Sequence, residues 1–163
     1  MKNIIKGRTH WHPLALAFLT LVFVATTARA ESWQGIEPFT SRRAEVIQKL
    51  GTPLHGSAEG PLTFKILGGT VSVSFVDAKF VRTKKLRADI EGTVLQIILQ
   101  HENSSDTPES MNLKRARNFK RDEEKQAVIY RDLKDGIVYT FVNGKLKTTR
   151  YTFSEDQISR ARH

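Results

Sequence analysis

The sequence predicts an α+β domain in which an antiparallel sheet of about six strands carries two short helices packed on one face. Three observations predict this fold class. Apolar and polar residues alternate in several segments, Gly-containing pairs that favour tight turns separate those segments, and two short amphipathic segments precede the groups of strands. Because a sheet with one apolar face must bury that face, helices lying on it give the simplest layered arrangement.

The first thirty residues have the pattern of a secretory signal peptide. Basic residues occur before Pro13 without any acidic residue, an apolar run of 14 residues follows, and the small-residue sequence Ala28-Arg29-Ala30 ends the pattern. An uncleaved anchor is the alternative, but a spanning helix needs roughly 20 apolar residues. We therefore expect residues 1–30 to be removed, so that an exported chain, periplasmic or extracellular, begins at Glu31.

The chain from residue 31 to residue 163 is expected to form a single domain. It is long enough to bury about two thirds of its unfolded surface, and it contains no cysteine, which excludes disulfides, thiolate metal sites and a lipidated cysteine. The whole sequence has 26 basic and 17 acidic residues, and four of the basic ones lie in residues 1–30. The exported chain would therefore carry a net charge of 22 minus 17, or +5, which suits either solubility or an anionic partner.

The segment from Thr40 to Pro53 predicts the first helix. Its apolar side chains are those of Val46, Ile47 and Leu50. Thr40 and Ser41 are both able to accept a hydrogen bond from the first helical turn, so either is predicted to cap it. Gly51 suits the left-handed conformation that closes a helix, and Pro53 prevents the helix from resuming.

A hairpin is predicted after this helix, with strands at Leu62–Leu67 and Thr70–Val76. Its turn is placed at Gly68-Gly69, because paired glycines readily adopt positive φ angles. Thr93–Gln100 has apolar residues on both faces, which predicts a central strand. The intervening residues 77–92 are interpreted as a basic excursion that can begin as an extension of the preceding strand.

The second half is predicted to start with a polar linker at residues 101–110 and a helix from Ser110 to Phe119. Three strands are then expected, at about Gln126–Arg131, Gly136–Val142 and Lys145–Phe153. The pairs Asp135-Gly136 and Asn143-Gly144 favour hairpin turns, so these strands predict an antiparallel meander. The charged tail from Ser154 is expected to fray or to form one helical turn.

The two halves invite comparison as repeats. Residues 40–100 and residues 110–153 are each predicted to run helix, strand, strand, strand, and Val71–Phe75 occupies the same place in the first half as Ile137–Phe141 in the second. A duplication is one interpretation, and a chance pairing of hairpins is the other. In both cases one twisted antiparallel sheet with the helices on one face is the economical architecture.

A resemblance to known families rests on two consecutive motifs. They are Trp33-x-Gly35-Ile36-x-Pro38 and Ser41-x-Arg43-x-x-Val46-x-x-x-Leu50-Gly51-x-Pro53. Together they resemble the opening of an uncharacterised secreted bacterial protein family. More distantly, a helix ending in Leu-Gly-x-Pro before a meander is similar to SmpA/OmlA-type outer-membrane lipoproteins and to β-lactamase-inhibitor-protein-like α+β domains. The resemblance implies a fold and a habit of binding proteins, although the chain lacks the lipidated cysteine of those lipoproteins.

Catalytic, metal and cofactor sites are not predicted. The three histidines after residue 30, His55, His101 and His163, are far apart in sequence and are interpreted as loop or terminal surface residues. No Gly-x-Ser-x-Gly sequence marks a hydrolase nucleophile. The carboxylates of residues 122–124 lie beside basic residues and are interpreted as a solvated turn. The sequence therefore predicts a protein that is not an enzyme.

One candidate binding site is basic. It comprises Lys114, Arg115, Arg117, Lys120 and Arg121. Such a surface can bind phosphates, acidic glycans, a membrane surface or an acidic protein, and a solvated helix face is the alternative. Nucleic acid is not expected as a partner, because only Phe119 supplies an aromatic ring among these residues and an exported protein meets little nucleic acid.

The leading functional hypothesis is an exported, non-enzymatic interaction module that binds a protein in the cell envelope or periplasm. The resemblance and the absence of catalytic motifs favour it. Binding of an anionic polymer or membrane surface through the basic residues is the first alternative. An enzyme of a type without a recognisable motif is the second.

Overall fold

The computed structural model describes residues 31–162 and shows an α+β fold built on one antiparallel sheet. Its eight strands are β1 (His55–Gly56), β2 (Leu62–Ile66), β3 (Gly69–Phe75), β4 (Val94–His101), β5 (Lys120–Glu124), β6 (Ala127–Asp132), β7 (Ile137–Val142) and β8 (Lys145–Thr152). The α-helices found in these residues are α1 (Arg43–Leu50), α2 (Ala78–Lys84) and α3 (Glu155–Arg160), and a 3₁₀ turn spans Ala88–Ile90. The predicted signal peptide and cleavage site precede the described residues.

The sheet has the spatial order β1-β2-β3-β4-β8-β7-β6-β5. The central strand predicted at residues 93–100 is confirmed, because β4 lies between β3 and β8. Antiparallel pairing of β4 with β8, in which Ile97 lies opposite Tyr151, joins the four strands of the first half to the four of the second. The predicted α+β class with an antiparallel sheet is therefore confirmed, but the predicted number of about six strands is wrong.

Two strands, β1 and β5, are not predicted from the sequence, for different reasons. β1 has only two residues and pairs with β2 at the sheet edge. β5 has the sequence Lys-Arg-Asp-Glu-Glu, which contains no apolar residue, and the prediction of a solvated turn at residues 122–124 is wrong. Its pairing is nevertheless regular: Glu124 lies opposite Ala127 across a two-residue turn in which Lys125 has a φ of 52°. An ion pair from Arg131 to Asp122 joins β6 to β5.

One face of the sheet is covered in the first half by α1 and the segment before it. Val46 is fully buried there against Val71, Val73 and Ile97 of the sheet. The predicted apolar side of α1 is correct only in part, because Ile47 is 39% exposed. One fully buried residue of α1 thus provides its main contact with the core.

The predicted cap of α1 is wrong. The N-cap residue is Arg42, which makes no side-chain cap hydrogen bond. Ser41 instead accepts a hydrogen bond from the Glu37 amide at 3.2 Å and so closes the preceding turn. The helix ends at Gly51 as predicted, with the Gly51 amide donating to the Ile47 carbonyl at 2.9 Å. Gly51 has a φ of 81° and a ψ of −150°, an extended mirror conformation rather than the left-handed helical one.

The same face is covered in the second half by residues 107–119, which we call the cover segment. The helix predicted from Ser110 to Phe119 is absent, because this stretch forms successive turns in which Asn112 has a positive φ of 55°. Leu113 is nevertheless buried against Tyr130 and Phe141. Met111 and Phe119 also pack against this cluster, so the segment covers the sheet although its backbone is not helical.

The predicted polar linker at residues 101–110 is also pinned to the sheet. His101 is the last residue of β4, and Pro108 is buried. The Asp106 carbonyl accepts a hydrogen bond from the Leu146 amide at 3.0 Å. Residues 102–110 therefore form an irregular, mostly exposed connection as predicted, but the connection is held to the sheet by a backbone hydrogen bond that a polar composition does not reveal.

A second packed cluster closes one end of the sheet. Residues 77–92, predicted to be a basic excursion that can begin as a strand extension, instead form α2 and the 3₁₀ turn, with the Asp77 carboxylate accepting a hydrogen bond from the Phe80 amide at 2.6 Å. Phe39 stacks on Phe153 at 4.7 Å between ring centroids and meets Phe80 edge-on. α3 packs here through Ile158, so the predicted helical turn in the tail is present.

The predicted hairpin turns are confirmed, except that one of them lies one residue earlier in the chain than predicted. Asn143 and Gly144 have φ angles of 51° and 74° and connect β7 to β8 as a two-residue turn. The turn between β2 and β3, however, is Leu67-Gly68, because Gly69 already pairs with Ile66. A Cβ atom on Gly69 would lie 1.8 Å from the Gln100 carbonyl oxygen of β4. Gly69 is thus required by close strand packing rather than by the turn.

We expect Gly69→Ala to destabilise the protein much more than Gly51→Ala. The added methyl group at residue 69 would collide with backbone of β4, whereas nothing lies within 4 Å of a Cβ atom at residue 51. Gly51→Ala should therefore cost only about 1 to 3 kcal/mol of backbone strain, and Gly69→Ala should exceed ~3 kcal/mol or prevent folding. Urea unfolding of the two variants measures the difference, and equal losses would contradict the packing at β4.

Candidate functional site

The face of the sheet opposite the helix is uncovered, and we call it the open face. None of the three hydrophobic clusters found in residues 31–162 includes a side chain from it. The strand register places one row of directly opposed residues across it, and this row consists of Thr63, Ser72, Ile98, Arg150, Val138, Arg131 and Lys120. A parallel row consists of Lys65, Thr70, Gln100, Thr148, Thr140, Ile129 and Asp122. The open face is therefore rich in neutral hydrogen-bonding side chains.

Arg150 lies at the centre of the open face. It is on β8, directly opposite Ile98 of β4 on one side and Val138 of β7 on the other. Its side chain is partly buried, and within residues 31–162 it has no hydrogen-bond or ion-pair partner. A guanidinium group has five N–H donors and loses solvation when it is buried without an acceptor.

The other cations of the two rows have partners. Arg131 pairs with Asp122, and Lys65 pairs with Glu102 at 2.7 Å. Lys120 Nζ lies 3.9 Å from the same Asp122 carboxylate. Arg150 is thus the unpaired cation among these described rows, and it is placed to bind a carboxylate supplied from outside.

A second feature is a cavity of about 580 Å³ beneath the covered face, between β7 and the cover segment. Its lining includes Glu31, Asp132 and Asp135, and we call it the acidic cavity. Asp132 is 2% exposed and accepts hydrogen bonds from the Asn118 side chain at 2.5 Å and from the Lys134 amide at 3.0 Å. Its carboxylate therefore holds the turn between β6 and β7.

Charge and burial shift the pKa values of groups at the acidic cavity. Burial raises the pKa of the Glu31 carboxyl, and the negative charges of Asp135 and Asp132 raise it further. Burial, with smaller effects of Tyr151 and Glu31, raises the pKa of Tyr139 to about 12. The cavity therefore disfavours negative charge. Within residues 31–162, no group of three or more His, Cys, Asp and Glu side chains is arranged to hold a metal ion.

The structure divides the predicted anion-binding residues between the two faces of the sheet. Lys114, Arg115 and Arg117 are exposed on the cover segment. Arg121 of β5 projects to the same side, near enough to Lys114 that its charge partly opposes the rise in the pKa of Lys114 caused by Glu109. Lys120 is its neighbour on β5 and so projects to the open face. Lys114 pairs with Glu109, and Arg121 pairs with Glu123. No ion pair in the described chain involves Arg115 or Arg117.

The two histidines within residues 31–162 do not converge. His55 is exposed on β1, and His163 lies outside the described residues. His101 was predicted to lie in a loop, but it is part of β4, and its Nε2 atom is hydrogen-bonded with the Thr149 hydroxyl at 3.0 Å. Burial lowers the pKa of His101, and the Asp106 carboxylate partly opposes that shift. The hydrogen bond with Thr149 thus gives His101 a structural role.

Sequence reasoning missed both Arg150 and the acidic cavity. In the sequence, Arg150 is one of several basic residues near the C terminus, and alternation shows only that it shares a face with Thr148 and Thr152. Its central place depends on the pairing of β4 with β8. The acidic cavity joins residues about 100 positions apart in the chain, which no local pattern reveals.

The chain matches no protein-family model, no curated protein and no solved structure. Within residues 31–162, no helix has the length and apolar character needed to cross a bilayer.

We expect the His101→Gln variant to lose less stability in mild acid than the unsubstituted protein loses. The lowered pKa of His101 means that the unfolded chain takes up a proton more readily than the folded protein. Folding stability is therefore lost as the pH falls through the ordinary histidine value of about 6.5 toward the lower folded value. Glutamine remains neutral and can keep the hydrogen bond to Thr149.

Urea unfolding between about pH 7.5 and about pH 5 measures this dependence, over the range in which histidine titrates. The matched control is His55→Gln, since His55 is exposed on an edge strand. It should retain the pH dependence of the unsubstituted protein. An identical acid response in the His101 variant would show that this histidine is not responsible.

Proposed function

We propose that this protein is an exported, non-enzymatic interaction module that binds a protein of the cell envelope or periplasm through the open face. The observation that carries the proposal is the partly buried, unpaired Arg150 at the centre of that face. The partner is expected to place an acidic side chain against it. Export itself is proposed from the signal-peptide pattern of residues 1–30.

The composition around Arg150 suits a protein partner. Ile98 lies opposite Arg150 on β4 and is partly exposed, so it offers an apolar contact, whereas Val138 on β7 is only 5% exposed and supports Arg150 from the other side. Threonine, serine and glutamine side chains surround this centre and can exchange hydrogen bonds with a partner backbone. Arginine is among the residue types that contribute most to protein interfaces, especially near their centre.

The resemblance of the segment from Trp33 to Pro53 gives independent support for protein binding. SmpA/OmlA-type and β-lactamase-inhibitor-protein-like domains are the families that it resembles, and what they imply here is an interaction role. The net charge of +5 expected for the exported chain also favours an acidic partner.

Binding of an anionic polymer or membrane surface is the alternative proposal. It would use the basic residues of the cover segment and β5. Internal pairing of Lys114 with Glu109 and of Arg121 with Glu123 reduces the positive charge that this region offers. Arg115 and Arg117 would then be the main contacts, and a protein partner at the open face is favoured.

We expect Arg150→Glu to reduce recovery of a specific partner at least tenfold, equivalent to about 1.4 kcal/mol of binding free energy. The charge reversal places a carboxylate where we expect the partner's carboxylate to bind. Crosslinking in the native envelope, followed by affinity capture and quantitative mass spectrometry, measures the recovery. Circular dichroism checks that the variant is folded.

Lys79→Glu is the matched control, because it makes the same charge change on exposed α2, away from the open face. It should leave partner recovery unchanged. An equal loss in both variants would favour general attraction to anionic surfaces, and the absence of any specific partner would overturn the proposal. Reversal of the crosslinked acidic residue of the partner should restore binding to the Arg150→Glu variant.

A further inference from the structure

The backbone nitrogen of Glu31 lies at the acidic cavity. Its N–H group donates a hydrogen bond to the Asp135 carbonyl oxygen at 3.1 Å. The residue itself lines the cavity together with Asp132 and Asp135. The Glu31 nitrogen is thus held by a hydrogen bond to the backbone of the turn. It is held where three carboxylate side chains line one partly enclosed space.

The negative charge of this cavity lacks a cationic partner. Within residues 31–162, none of Glu31, Asp132 and Asp135 forms an ion pair with a lysine, arginine or histidine. Hydrogen bonds from neutral groups satisfy Asp132, but they bring no positive charge. Like charges in a partly buried space oppose folding unless a cation compensates them.

Such a cation can arise from cleavage of the chain, without any basic side chain. Residues 28–30 read Ala-Arg-Ala, the pattern after which a signal peptidase cuts, so the bond expected to be hydrolysed is the one that joins Ala30 to Glu31. Hydrolysis adds water across this amide: Ala30 leaves with a carboxylate, and Glu31 keeps the nitrogen as an amine. At neutral pH that amine is mostly protonated, since an α-amino group has a pKa of about 7.7 to 8.0.

We propose that the α-ammonium group created by cleavage before Glu31 stays in the acidic cavity and forms its missing ion pair, so that removal of the signal peptide stabilises the folded protein. This inference rests on the export part of the proposed function. An amide nitrogen has one N–H donor, and here it contacts the Asp135 carbonyl oxygen. An ammonium nitrogen at the same position has three donors, so it can keep that contact and also bind carboxylates of the cavity.

The consequence is an order of events. A chain that still carries its signal peptide keeps the uncompensated acidic cavity and folds less favourably. Cleavage adds a positive charge at the one backbone nitrogen held there. The folded ammonium group gains ionic partners, so its pKa rises above the unfolded value, and the stability that it contributes is present below about pH 7.7 and is lost as the pH rises through the folded value.

The test compares two forms of the exported chain, one that begins at Glu31 and one that retains Ala30 in front of it. Both forms have the same net charge and differ in where the ammonium group lies. At pH 7 we expect the form that begins at Glu31 to have a melting temperature higher by a few degrees. Its α-amino pKa, measured by NMR titration, should be higher than that of the longer form.

Two variants made in both forms localise the effect. Asp135→Asn should reduce the difference in melting temperature and in α-amino pKa, because it removes one carboxylate of the acidic cavity. Glu59→Gln is the matched control: this carboxylate is exposed and does not line the cavity, so the differences should persist. Equal melting temperatures and equal α-amino pKa values in the unsubstituted forms would overturn the inference.

The exported protein provides a separate check. Mass spectrometry of the chain recovered from its native envelope should give Glu31 as the first residue. A different first residue would overturn the inference about the acidic cavity while leaving partner binding at Arg150 to its own test. Recovery of the full chain with residues 1–30 still attached would contradict both the inference and the cleavage on which it rests.

Discussion

The pairing of β4 with β8 is the interaction on which the rest of the structure depends. It joins residues about 50 positions apart, such as Leu99 and Thr149, and makes one sheet from the strands of both halves. Without it, each half would present four strands with an exposed edge, which is a site for non-specific pairing. The same pairing sets Ile98 opposite Arg150 and thereby defines the centre of the open face.

The two faces of this sheet differ in their exposure to solvent. One face carries aromatic and branched side chains, and α1 and the cover segment bury them. The other carries threonine, serine and glutamine together with charged side chains and a few apolar residues, so it can remain exposed without a second layer. This division confines the core to one side and leaves the open face without a second layer. Arg150 gives that surface a charged centre, which distinguishes it from an ordinary solvated face.

The acidic cavity lies on the covered side of the molecule, and it is the site at which we propose that the new amino terminus binds. The carboxylates of the cavity come from Glu31, from the last residue of β6 and from the turn that follows, and the hydrogen bond from the Glu31 amide to Asp135 brings the first of them to the others. The open face and the acidic cavity lie on opposite sides of the sheet. Partner binding and compensation of the cavity charge can therefore be varied separately, because no described hydrogen bond joins Arg150 to the cavity residues.

The sequence by itself determined the α+β class, the short first helix ending at Gly51, the central strand and the meander, because alternation, caps and turn pairs are local signals. It could not reveal β5, whose charged residues are paired across strands, or the non-helical cover segment, which packing holds in place. Nor could it identify Arg150 or the acidic cavity. Both depend on contacts between distant residues, and only the tertiary structure decides which side chains share a face, which are buried and which lack a partner.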